Sequence, residues 1–112
     1  MIRITSVDYA PPELEAQTPI EARLLKKIKG TDRHPYYWTA VLSKPIRWLN
    51  QGRESEVTHV VVAARWLGME IGLGMKQMPI GISYVIDSSV LDDSSLDVKK
   101  VAYVAIGVAD EV

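Results

Sequence analysis

Apolar residues in this chain recur at every second position, over short runs separated by turn residues. Met1 to Val7 reads as a first strand. Tyr36 to Leu42 alternates, with Trp38, Ala40 and Leu42 on one face. Ile46 to Leu49 is short and follows Pro45, which cannot donate to a ladder and so belongs at an edge or a bulge. Glu56 to Leu67 is the longest candidate, and Ile80 to Ile86 and Val101 to Val108 complete the set. Valine and isoleucine dominate the apolar residues and phenylalanine is absent. Stiff β-branched side chains of this kind suit a pleated surface. Val60, Val62, Ile80, Ile82, Val104 and Ile106 sit mid-strand in the longest candidates and are the expected core.

Residues 19–29 fit two patterns. Thr18-Pro19-Ile20-Glu21 is a capping box with proline at the first helical position, and Gly30 is a suitable stop. Ile20, Leu24, Leu25 and Ile28 would then form a helical stripe. In the alternating reading Ile20, Ala22, Leu24 and Ile28 share a face, interrupted by Lys26. The strand is slightly favoured, because Gly30 to Pro35 would close a hairpin onto Tyr36 to Leu42.

The connections are β-like as well. Asn50-Gln51-Gly52-Arg53 is a turn signal. Gly68 to Pro79 is a glycine-rich loop expected to fold back over a barrel end. Asp87 to Asp97 is a polar loop, with Val90, Leu91 and Leu96 turned inward and one helical turn capped by Ser88 or Ser89. Five to seven short strands with no long helical pattern between them predict a mostly β chain. The expected architecture is a small antiparallel barrel or two-layer sandwich with at most one helix, as a single globular domain over residues 1–112.

Composition narrows the chemistry. No cysteine is present, which removes disulfides, thiolate metal sites and a cysteine nucleophile. The N-terminal residues lack the apolar run of a signal peptide, and Val60 to Ala64 is far too short to span a bilayer. A cytoplasmic protein without membrane contact is the expectation.

Charge is more informative in its placement than in its sum of -1. Residues 23–53 carry eight bases against the single acid Asp32, a net of +7; residues 1–22 carry -3 and residues 54–112 carry -5. The basic third also holds Tyr36, Tyr37, Trp38 and Trp48. It is therefore either a face for an anionic partner or one half of an internally neutralised fold. Lys27, Lys29, Arg33, His34, Tyr37, Arg47 and Arg53 are the candidate partner-binding residues.

Other constellations are weak. His34 and His59 are the only histidines and show no ligand spacing, so no metal or cofactor is expected. The Gly68 to Pro79 loop has neither the dinucleotide fingerprint nor the phosphate-loop spacing. The four aspartates between Asp87 and Asp97 do not match a calcium loop. No nucleophile elbow or triad can be composed. The sequence thus points to a non-catalytic binding or adaptor domain for a protein or an anionic ligand. The alternatives are a barrel that binds single-stranded nucleic acid through its aromatics and cations, and a small pocket-type ligand-binding protein or enzyme. A homodimer through strand edges or the methionine-containing loop is a further expectation.

Overall fold

The computed structural model describes residues 1–8, 12–30, 35–50, 52–66, 69–74 and 76–112, with backbone alone for Asn50, Tyr103 and Val104. Six strands are present among them: β1 (Ile2–Asp8), β2 (Ile20–Lys29), β3 (Tyr36–Asn50), β4 (Arg53–Ala64), β5 (Met78–Val85) and β6 (Val101–Glu111). Each pairs antiparallel with the next in the chain, and β6 pairs with β1, which closes a six-stranded barrel. One short helix, α1 (Pro12–Glu15), and two 3₁₀ turns (Ser88–Asp92 and Val98–Lys100) are the only helical pieces described. The segment that fits both patterns is a strand, β2, from Ile20 onward.

Alternation fills the interior. Ile2 and Ile4, Ile20 and Ala22, Ala40 and Leu42, Val60 and Val62, and Ile80 and Ile82 point inward and are buried. Bulges then shift the phase. One in β1 between Ile4 and Ser6 brings Val7 inward. One in β2 between Leu24 and Lys26 explains the interruption at Lys26: beyond it Ile28 is buried but lies outside the interior cluster. The inward positions of β6 are Ala105, Gly107 and Ala109, so Ile106, expected in the core, faces outward and is half-buried. The side chain of Val104 is outside the described residues.

The two segments read as separate strands around Pro45 are one strand of 15 residues. Pro45 sits where the pairing with β4 jumps from Val41↔His59 to Ile46↔Val57, the bulge its chemistry requires. Beyond that bulge β3 and β4 continue as a two-stranded arm. Its inner side chains, Ile46, Trp48 and Val57, are buried in the interior cluster together with Leu14 of α1, at the end of the barrel where β3 meets β4. The Trp48 ring lies 5.2 Å from that of Tyr84, tilted by 51°.

The opposite end is capped by the loop after β4, as the sequence suggests. Ile71 is buried, and its carbonyl accepts from Trp38 Nε1 at 3.2 Å. The Glu111 carboxylate accepts from the Gly72 and Gly74 amides, and Lys76 Nζ donates to the Glu111 carbonyl at 2.6 Å.

Residues 86–100 form a strap on the outside of the barrel. It leaves β5, reaches the far end of β2 and returns to β6. Lys29 N donates to Ser94 O at 3.0 Å and Leu96 N to Lys29 O at 2.7 Å. Val90 is fully buried, as are the outward residues Thr39 and Val61. The first turn of the strap is capped by Asp87, whose carboxylate accepts from Ser89 N, rather than by Ser88 or Ser89.

Candidate binding cleft

The ladder between β2 and β3 ends at Ala22↔Leu42. Past it, β3 swings out through Ser43, Lys44 and Pro45, while β2 runs on toward its start at Ile20. The strands part, and a cavity of about 440 Å³ opens between them. It is lined by Pro19, Ile20 and Glu21 on one wall, by Ser43, Lys44, Pro45 and Ile46 on the other, and by Gln17. The side chain of Gln17 acts as a stand-in strand: Arg47 N donates to its Oε1 at 2.8 Å, and its Nε2 donates to Arg47 O at 2.8 Å. This satisfies the backbone where β2 is missing.

The lining has a definite polarity. Ile20 and Ile46 are buried and make an apolar base, and the two prolines contribute no amide donors. Both polar ends of Gln17 are occupied by the Arg47 backbone. Glu21 is engaged by Arg3, with Nη2 at 3.2 Å and Nε at 3.3 Å. Two polar side chains remain at the rim: the Ser43 hydroxyl and the Lys44 ammonium, which is exposed and makes no ion pair among the described residues. A concave site with an apolar base and a few rim polar groups is the usual form of a small-ligand pocket, and 440 Å³ lies within the usual range.

The candidate residues from the sequence fall into two groups. Lys27, Lys29 and Tyr37 sit where β2 runs into β3, in the registers Lys27↔Trp38, Ile28↔Tyr37 and Lys29↔Tyr36. Lys27 is ion-paired with Glu70, and its ammonium lies 4.2 Å from the Tyr36 ring centroid. Lys29 holds the strap through its backbone. Arg47 and Arg53 lie on the arm, with Arg47 Nε 3.8 Å from a Glu54 carboxylate oxygen and Arg53 exposed opposite Asn50. Because β3 is a single strand, Arg47 lies about seven β4 residues along the barrel from Tyr37, with Trp38 opposite Val62 and Arg47 opposite Glu56, a separation on the order of 20 Å. Arg33 and His34 are outside the described residues.

The acidic strap lies on the basic strand. Lys26 Nζ donates to the Asp92 carbonyl at 3.3 Å, and Lys100 Nζ pairs with Asp93 at 2.8 Å. The Ser89 amide and hydroxyl hold the Asp87 carboxyl below its ordinary range, with a smaller contribution from Lys100. The hydrogen bond to Asp93 raises Lys100, as do the nearby Asp93, Asp87 and Asp97 charges.

The sequence reading missed Gln17 and Ser43; Lys44 belongs to the basic aromatic run Lys44-Pro45-Ile46-Arg47-Trp48 that the sequence marks as a functional candidate, but it is not among the seven partner-binding residues named from it. The available signal was Pro45, which marked the break in pairing without marking which strand it would leave uncovered. Among the described residues no group of three potential metal ligands converges, and no helix is long and apolar enough to cross a membrane. No protein-family model, curated protein or solved structure matches the chain.

Proposed function

We propose that the chain is a cytoplasmic, non-catalytic binding module whose ligand presents an anionic group to Lys44 and seats an apolar body between β2 and β3. The observation that carries this reading is the unpaired Lys44 ammonium at the rim of an apolar-based cavity. An ammonium held next to low-dielectric walls attracts an anion more strongly than one standing free in water. The nucleic-acid alternative has less support. Trp48 is fully buried and Trp38 packs against the interior, so neither presents a face on which a base could stack.

Titration with hexanoate and benzoate, followed by amide chemical shifts, tests the reading, with the matching neutral amides as controls. The acids should perturb Ile20, Glu21, Ser43 and Lys44 and the amides should not. Lys44→Gln should remove the response without moving the melting temperature, since exposed unpaired charges contribute little to stability. A response that survives in Lys44→Gln, or that maps to other residues, overturns the assignment.

A further inference from the structure

The barrel is closed, but the arm is not. The partners Asn50↔Arg53, Trp48↔Ser55 and Ile46↔Val57 flank a two-residue connection. In such a hairpin the flanking pair is hydrogen-bonded, and bonded and non-bonded pairs then alternate. Arg53, Ser55 and Val57 therefore direct their backbone groups to β3. Glu54, Glu56 and Thr58 direct theirs the other way. On that side β5 joins only from Val60↔Tyr84 onward. Three residues of β4, all exposed, thus present a strand edge that no strand among the described residues covers.

The side chains select what can add to it. Glu54 and Glu56 share the outer face of the arm with Arg47, and only Glu54 is close to that guanidinium, at 3.8 Å between well-exposed groups. A second copy of this chain fits poorly. Outward-directed residues align only with outward-directed residues, so a two-fold antiparallel pairing over all three positions sets Glu56 against Glu56 of the second copy. A shift of two residues toward the arm tip sets Glu54 against Glu56 twice. A shift the other way runs into Val60, which β5 already occupies. Like charges directly opposite are unfavourable in a sheet.

We propose that this edge accepts an extended segment of a partner protein as an added strand, with lysine or arginine at alternate positions facing Glu54 and Glu56. The main-chain groups of Glu54, Glu56 and Thr58 supply the hydrogen bonds, and the two carboxylates supply the charge selection. The site is separate from the cleft at Lys44 and stands whether or not that cleft binds an anion.

The test uses a fluorescein-labelled octapeptide of alternating lysine and threonine, read by anisotropy and by amide hydrogen exchange. The expected result is saturable binding with new protection at Glu54, Glu56 and Thr58. Glu54→Lys with Glu56→Lys should weaken binding about tenfold and transfer it to a glutamate–threonine octapeptide. Thr58→Pro removes an outward amide without touching the β3 ladder and should also abolish binding, which keeps the test decisive if the double variant does not fold. An octapeptide N-methylated at alternate residues should not bind. Absence of binding, equal binding of the N-methylated peptide, protection elsewhere, or a wild-type dimer paired through residues 54–58 overturns the proposal.

Discussion

A Cβ on Gly107 would sit 2.6 Å from the carbonyl oxygen of Ser6. The β1 bulge pushes that carbonyl toward β6, and only a residue without a side chain fits opposite it. Gly107→Ala must move backbone at the seam where the barrel closes. Overpacking of this kind costs about 1–3 kcal/mol. Urea denaturation should show a lower midpoint with an unchanged slope.

Trp48 combines full burial with an indole N–H that has no partner among the described residues. Trp48→Phe removes that orphan donor and a little volume together, and an orphan buried donor costs about 1–3 kcal/mol. The substitution should therefore shift stability by less than about 1 kcal/mol, the two effects offsetting. Trp48→Ala should cost about 3–5 kcal/mol. A Phe variant as damaged as the Ala variant would show that the indole N–H has a partner in solution.

Gln17→Leu removes both hydrogen bonds to Arg47 and leaves its backbone groups uncovered. Both bonds are solvent-exposed, so about 0.5–1.5 kcal/mol should be lost. Hydrogen exchange should show the Arg47 amide deprotected while the Ala22↔Leu42 end of the ladder is unchanged.

Strap attachment should be flat across neutral pH and weaken at both extremes. The Asp87 carboxyl is held below its ordinary value of 3.8, so its contribution is present above that pH and lost as acid carries it through the lowered value. Lys100 is raised above 10.5, so its contribution is complete below that pH and lost at higher pH. Exchange at Asp93 and Leu96, whose amides bond within the strap and to Lys29, reads the transition. Loosening near pH 7 would contradict this assignment.

Much of the barrel was legible because alternation is a local property. Ile2, Ile4, Ala40, Leu42, Val60, Val62, Ile80 and Ile82 could be placed on an inner face from spacing alone. Ile106 could not, because β6 carries an extra residue between Tyr103 and Ala105, opposite the consecutive Ile82 and Ser83, and alternation alone does not mark where such a bulge flips the phase. The continuity of β3 through Pro45 was hidden for the same reason: a proline in a strand is tolerated only where the neighbour is absent, and that neighbour is non-local. The candidate site was less legible still. The run of bases from Arg23 to Arg53 looks like one surface in sequence, yet the register along β3 puts Lys27 and Lys29 beside its start at Tyr36 and Arg47 and Arg53 on the arm at its other end. Lys44 stood out from the other lysines only once β2 was seen to end its pairing at Ala22.

Closure of β1 onto β6 fixes an order of events. Ile2 pairs with Glu111 and Asp8 with Ile106, so β1 waits for β6, made some hundred residues later, before both of its sides are covered. Contacts of such long sequence separation place folding on the millisecond-to-second scale. On the ribosome, translation at about 5–20 residues per second holds β1 with one side open for seconds. The bulge between Ile4 and Ser6 and the charged Arg3 and Asp8 interrupt that side, which makes it a poor template for a neighbouring nascent chain.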